Sequence, residues 1–319
     1  MAITVGPARF HRLAVASLGL TLVLVATGAA VRLTGSGLGC ADWPGCEQER
    51  FVPALELNPM IEFVNRVLSG IGGLTALLVG LASLRLRPWR RDLVVLCVAV
   101  GTVYLGTGLL GAVVVSFHLT PQIVSAHLLL ALLLVGLATA LVERARPRED
   151  GDLGTDGPSR AARVVGGGTR RLVVALLPAL AVATIAGTIV TGSGPHGGDE
   201  DAPRYGFDAG AVARLHSFAV LAFLALLLVV IQRLAREGAP VAVQERARQL
   251  LAVAVAQAVV GWVQYFTDVP ALLVGIHILG ASLVWVAAVR VLLVALGTLE
   301  PCPSPPRPSR STVPSVTPS

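Results

Sequence analysis

Two groups of residues in this chain have types and spacings suited to chemistry. The first is a continuous segment, Arg32-Leu-Thr-Gly-Ser-Gly-Leu-Gly-Cys40-Ala-Asp-Trp43-Pro-Gly-Cys46, followed after a short loop by Ile61-Glu62-Phe63-Val64-Asn65-Arg66 at the mouth of an apolar stretch. An acid and a base at the edge of a membrane span are costly to hold there, which points to a built site. Glu62 lies three residues before Asn65 and shares its helix face, so a partly desolvated carboxylate there could exchange protons with a reactant. The competing reading is an ion pair with Arg66 or Arg32 that only anchors the helix. The second group is His127, His216 and His277, each roughly one to two turns inside an apolar run. In hydrocarbon an imidazole needs partners for its nitrogens. Ligation of a transition metal or haem iron supplies one partner, while the other nitrogen donates to a neighbour; a structural hydrogen bond is the alternative.

The remaining histidines and cysteines carry less. His11 precedes the first apolar run beside Arg12 and reads as interfacial, whereas His118 and His196 fall in loops and read as solvated or as bordering the site. Cys97 reads as a small buried apolar residue, and Cys302 lies in the tail. Cys40 and Cys46 are close enough in sequence to form a disulfide, a redox-active pair or two unrelated thiols; no outer histidine or second cysteine pair completes a zinc set.

The elements that must position these residues are membrane spans. Of 319 residues, 54% are hydrophobic and only 14% charged, with a mean hydropathy of +0.76, well beyond what a soluble core requires. Apolar runs near the ~20 residues needed to cross a bilayer occur at 13–31, 60–84, 93–115, 122–142, 172–191, 211–232, 249–266 and 271–297. They predict an all-α polytopic membrane protein with eight transmembrane helices. The first run exceeds the length of a signal-peptide core, and Arg32-Leu-Thr-Gly is a poor cleavage context, so it is expected to be retained.

All 25 basic residues are arginine. They cluster before the first run (Arg9, Arg12), between the second and third (Arg85, Arg87, Arg90, Arg91), between the fourth and fifth (Arg144 to Arg171) and between the sixth and seventh (Arg233, Arg236, Arg246, Arg248). The positive-inside bias then places both termini in the cytoplasm. The alternate loops, with Asp42, Glu47, Glu49, Asp199, Glu200, Asp201 and Asp208, fall outside. The net charge of +6 thus follows from topology and argues for a lipid partner rather than nucleic acid.

The chain also repeats itself. Thr34-Gly-Ser-Gly37 returns as Thr191-Gly-Ser-Gly194, 157 residues on; Asn65 corresponds to His216 at an offset of 151, and His127 to His277 at 150. An even number of spans per unit makes this a parallel repeat of two four-helix bundles. The expected organisation is a first half at 13–143, a cytoplasmic linker at 144–171, a second half at 172–298 and a Pro/Ser-rich disordered tail at 299–319. His216 and His277, on spans six and eight, are placed to hold a haem in the second bundle. The matching places in the first hold Asn65 and His127, which suggests one permanent cofactor and one exchangeable porphyrin. Arg66 and Arg214 could pair with porphyrin propionates, although snorkelling to the interface explains them as well.

On Arg32 to Cys46, on Ile61 to Arg66 and on the histidines of spans four, six and eight, the chain resembles the haem A synthase family across essentially all eight spans. The resemblance implies oxidation of a methyl group of haem O to the formyl group of haem A through a hydroxylated intermediate, in a multi-pass protein of the cell membrane whose active site faces outward. It implies a haem b cofactor ligated by His216 and His277, substrate entry near His127, Glu62 as the catalytic carboxylate and a Cys40–Cys46 disulfide. It further implies partners: a haem O synthase of the prenyltransferase class and an electron acceptor. The family pattern has a histidine where this chain has Asn65, so a paired-imidazole substrate pocket does not carry over. A membrane b-type cytochrome that only passes electrons would explain His216 and His277, but gives Glu62 and the asymmetry of the halves no purpose; a haem permease lacks the paired helix interruptions expected of it.

Overall fold

The computed structural model describes residues 4–40, 45–46, 52–53, 55–147 and 165–297. Eight helices account for most of them: α1 (Pro7–Leu33), α2 (Leu57–Leu84), α3 (Arg91–Ser116), α4 (Pro121–Arg144), α5 (Gly167–Ser193), α6 (Ala209–Arg236), α7 (Val241–Phe266) and α8 (Ala271–Ala295). All eight are long and apolar enough to span a membrane, and their exposed surfaces carry large apolar side chains such as Leu77, Leu105 and Leu272. A face of that kind is stable only against lipid.

The helices begin where local chemistry favours it. Pro7 and Pro121 occupy first-turn positions of α1 and α4, where a missing N–H costs nothing, and the Asp208 carboxylate caps α6 by accepting from the Ala211 N–H at 2.7 Å. Seven of the eight helices outrun the apolar stretches of the sequence, and α8 stops at Ala295, two residues short of its stretch. The largest difference is at α7, expected from residue 249 but starting at Val241, because its first two turns carry Gln244, Glu245, Arg246 and Arg248 and are invisible to hydropathy. Likewise α5 takes in Gly167 to Arg171 from the expected linker. Residues 148–164 and 298–319, with most of that linker, the tail and Cys302, lie outside the described residues, as do Asp42, Glu47 and Glu49.

Within the first four helices α1 packs on α2 and α4, and α3 on α2 and α4; within the last four α5 packs on α6 and α8, and α7 on α6 and α8. The two sets meet where α8 lies against α1 and α4, and α4 against α5. Each set encloses its own apolar core, one around Leu93, Val79 and Leu141, the other around Leu227, Leu250 and Val230.

Alternate loops gather at opposite ends. At one end the Gly37 N–H donates to Gly198 O at 2.8 Å, Leu119 lies against both glycines, and His196 Nε2 is 2.9 Å from Val269 O, so the α1–α2, α3–α4, α5–α6 and α7–α8 connections interlock. At the other, arginine-rich end, the Glu237 carboxylate accepts from the Gly166 N–H (2.9 Å) and the Thr169 hydroxyl (2.6 Å), and Glu143 on α4 pairs with Arg290 on α8 at 2.8 Å. The α3–α4 and α7–α8 loops are alike in detail. His118 and Leu119 in one, Asp268 and Val269 in the other, are pairs of non-glycine residues with positive φ, 150 residues apart. The Leu119 and Val269 N–H groups close the preceding helices by donating to Val114 O and Gln264 O, again 150 apart.

Candidate functional site

The outer-loop motif and the start of α2 form one unit. Cys40 and Cys46 are joined as a disulfide, with Cα atoms 4.4 Å apart. Glu62 is 4% exposed, and both its carboxylate oxygens are engaged: Oε2 accepts from the Cys40 N–H at 2.9 Å and Oε1 from Arg66 Nη2 at 2.5 Å. Arg66 also donates to Gly45 O at 2.5 Å, so a single acid–base pair ties the disulfide loop to α2 at both cysteine-flanking segments. Charge-assisted bonds of this kind are among the stronger ones a protein makes. The glycines of the motif serve close approach. A Cβ on Gly39 would fall within 2.9 Å of the Asn58–Pro59 backbone, and one on Gly37 within 2.9 Å of Gly198 O.

Arg32 is not part of that pair. Its guanidinium reaches across to the other half, donating to His196 O at 2.5 Å and Thr191 O at 2.7 Å. Of the two ion pairs open to Glu62 from the sequence, only the one with Arg66 forms. Asn65, on the same face of α2, turns toward α1, where its Oδ1 accepts from the Thr27 hydroxyl at 2.8 Å. Asn65 and Thr27 line an apolar groove of about 250 Å³ with Ala30, Leu57, Met60, Ile61 and Val64.

The histidines follow one design. His216 on α6 and His277 on α8 face each other with ring centroids 6.4 Å apart and planes at 84°. Nδ1 of His216 lies 2.9 Å from Ala183 O on the preceding helix. A donated hydrogen bond there fixes the tautomer and leaves Nε2 as the ligating atom. The positions that correspond to Ala183 for His277 and His127 are Gln257 and Thr107, each four residues before a glycine, but the buried Nδ1 atoms of these two rings make no hydrogen bond. The glycine makes room for the ring in all three cases. A Cβ would stand 3.1 Å from His216 Cε1 at Gly187, 2.8 Å from His277 Cε1 at Gly261 and 3.3 Å from His127 Cε1 at Gly111.

This arrangement passes a dimensional test for a metal between His216 and His277. Two metal–nitrogen bonds of about 2 Å, plus about 1.2 Å from each nitrogen to its ring centre, span roughly the separation that the rings already have. Buried nitrogens in an apolar bundle, glycine cradles and facing imidazoles all fit a planar iron porphyrin ligated from both sides.

A family model described as "Cytochrome oxidase assembly protein" matches residues 11–196, more than half of the chain, including the disulfide motif, Glu62 and His127. The chain belongs to this COX15-CtaA family. Among its relatives are proteins named "Heme A synthase": one from Shewanella oneidensis, 30% identical over 149 residues (41% of this chain, 44% of that protein), and one from Halalkalibacterium halodurans, 29% identical over 161 residues (50% and 51%). A "Protoheme IX farnesyltransferase" of Thermus thermophilus is 47% identical over 68 residues, which are 21% of this chain and 11% of that protein. The matches thus span about half or less of each of these relatives.

Other family-motif residues are dispersed. His127 lies on α4 against α3, and among the described residues no hydrogen bond joins it to Asn65 or Glu62. Arg214 is exposed near the start of α6, 4.0 Å from Asp208. Cys97 is a buried free thiol, as expected of a core residue. His196 is tied to the α7–α8 loop, and His11 has a buried Nδ1 near Glu143 and Arg146. Sequence reading missed the three glycine cradles and Gln257, whose Nε2 donates to His277 O at 2.6 Å. A spacing signal existed, since Gly111 and Gly261 each precede their histidine by 16 residues.

Proposed function

We propose that this family member is a haem A synthase of the cell membrane, oxidising a methyl group of haem O to a formyl group through a hydroxylated intermediate. The observation that carries the proposal is the joint presence of a cradled, facing histidine pair in one set of helices and a buried, loop-clamped carboxylate in the other. The relatives named "Heme A synthase" agree with it. The eight helices are read as two four-helix bundles related by a parallel repeat, with both termini cytoplasmic and the interlocked, arginine-poor end outside. The matched pairs of left-handed loop residues 150 apart support that repeat.

In this reading His216 and His277 hold a haem b, which when bound supplies one-electron transfer, with Arg214 near its propionates. Haem O is the substrate of the first bundle, near His127, Asn65 and Arg66. Converting methyl and water to formyl releases four protons and four electrons, the electrons leaving to a one-electron acceptor outside the chain. Glu62 is the group placed to take protons, or to stabilise positive charge developing on the attacked carbon. Its two hydrogen bonds hold the carboxylate at a fixed height against the disulfide loop, so it is preorganised and does not have to be recruited. Arg66 orients that carboxylate through a charge-assisted hydrogen bond to Oε1. The expected supplier of haem O is a prenyltransferase, and the farnesyltransferase relative fits such a partnership.

The test is Glu62→Gln. The amide keeps the shape and can still accept from the Cys40 N–H, but it cannot take up a proton. Pigments extracted from membranes should show haem b retained and haem A lowered by a factor of about 100 or more, in the range of lost general acid–base catalysis. Wild-type haem A formation in this variant would remove Glu62 from the chemistry, and failure of the wild-type chain to convert haem O would remove the synthase reading.

A further inference from the structure

Gln257, on α7 one turn before Gly261, holds the backbone of His277: its side-chain Nε2 donates to the His277 carbonyl at 2.6 Å. It does so one turn from the glycine whose missing Cβ makes room for the His277 ring. The room for the amide is made by Gly280: a Cβ at that position would run into Gln257 Oε1.

The other two histidines lack the device. The residue 150 positions before Gln257 is Thr107, whose hydroxyl donates within its own helix to Val103 O at 2.8 Å. The residue 150 before Gly280 is Leu130, which is not a glycine. Facing His216, the corresponding carbonyl belongs to Ala183, which has no polar side chain. Among the described residues, a side-chain amide bonds to the backbone of His277 alone of the three.

We propose that Gln257 is a positioning residue for the haem held in the second set of helices, setting the height and direction of His277 so that its imidazole stays on the iron. The proposal rests on the haem reading above. It gives the division between a resident cofactor and an exchangeable substrate a structural cause: the His277 site is locked by an amide and the His127 site is not. Changes to groups that orient a metal ligand commonly cost about 10–100-fold in affinity.

Two substitutions probe the lock separately. Gln257→Met keeps approximate length and volume without a donor, and Gly280→Ala keeps the glutamine but pushes its amide aside. Full-length protein from a host that makes no haem O would be assayed for haem content, for the rate of haem transfer to excess apomyoglobin, and for carbon monoxide binding after reduction. Both variants should bind haem, lose it about 10-fold faster than wild type, and bind carbon monoxide where wild type does not, because a loosened His277 can be displaced. Wild-type transfer rates and carbon monoxide insensitivity in both variants would overturn the proposal while leaving the haem reading intact. A wild-type chain that holds no haem would overturn both. Should Gln257→Met fail to insert, Gly280→Ala decides alone.

Discussion

Replacing Gly261 by alanine is the sharpest perturbation of the histidine pair, and its size can be worked from contact distances. Carbon atoms in ordinary contact lie about 3.5–4.0 Å apart. An alanine Cβ at 261 would stand 2.8 Å from His277 Cε1, at 187 it would stand 3.1 Å from His216 Cε1, and at 111 it would stand 3.3 Å from His127 Cε1. Ring or helix must therefore give way by about 0.7, 0.4 and 0.2 Å in turn. Forcing a methyl into a filled site costs about 1–3 kcal/mol, with Gly261→Ala at the upper end. At 1.4 kcal/mol per factor of ten, that weakens haem binding by roughly 10–100-fold at 261 and by a few-fold at 187. Titrating purified apoprotein with haem and following the Soret band measures both. An unligated ring can turn away from the new methyl where a ligating one cannot, and alanine favours the helix itself by up to about 1 kcal/mol, so the thermal stability of the apoprotein should hold or rise, which separates lost ligation from lost folding. A reversed order, or wild-type affinity in Gly261→Ala, would refute the cradle argument.

Two further outcomes follow from the ends of the molecule. Replacing Cys40 and Cys46 together by serine opens a loop whose cysteines are 6 positions apart. The chain-entropy cost is about 2 kcal/mol, so the thermal midpoint should drop by a few degrees with haem b content unchanged, and an unchanged midpoint would deny the loop a stabilising role. At the arginine-rich end, the Thr169 hydroxyl and then the Gly166 N–H hold the Glu237 carboxyl below its ordinary value of 4.5. A depressed folded value means that the stabilisation is fully present above about pH 4.5 and is lost as pH falls through the lower folded value. Stability curves of wild type and Glu237→Gln should differ at neutral pH and converge in acid; parallel curves down to pH 3 would contradict the sign.

The fold was legible because lipid imposes a simple rule, that a spanning helix must be apolar over most of its length. All eight helices are where the apolar runs are. Their ends were less legible, since α7 begins in a polar stretch that hydropathy discounts and α5 begins inside an arginine-rich one. In the candidate site, Glu62, Arg66 and the cysteine pair could be read from residue type and neighbourhood, because the acid, the base and both thiols are close in sequence. Arg32 was misjudged as a possible partner of Glu62, because its acceptors, Thr191 O and His196 O, are backbone groups about 160 residues away that no side-chain pattern announces. The glycines and Gln257 escaped for a related reason. What they contribute is space and a backbone contact, and beyond the 16-residue spacing of Gly111 and Gly261 from their histidines neither leaves a mark on the sequence.

In the proposed reading, the repeat gives the two halves different tasks. Gly187 maps, at the offset of 157, onto Ala30, and His216 maps onto Asn65. Both members of the glycine–histidine pair are therefore changed together in the first half, where a Cβ occupies the position that elsewhere admits a ring. Asn65 keeps the direction toward the preceding helix that His216 has, but spends its oxygen on the Thr27 hydroxyl. An amide fixed in that way offers no ring nitrogen to iron, which leaves His127 as the one imidazole of the three-part design in that half. In the proposed reading, a porphyrin held near His127 without an amide lock would leave once its methyl group had reacted, whereas one held by His216 and a His277 clamped by Gln257 would leave less readily. On that reading, turnover in one half and retention in the other would follow from four positions, 30, 65, 257 and 280, rather than from any difference in fold.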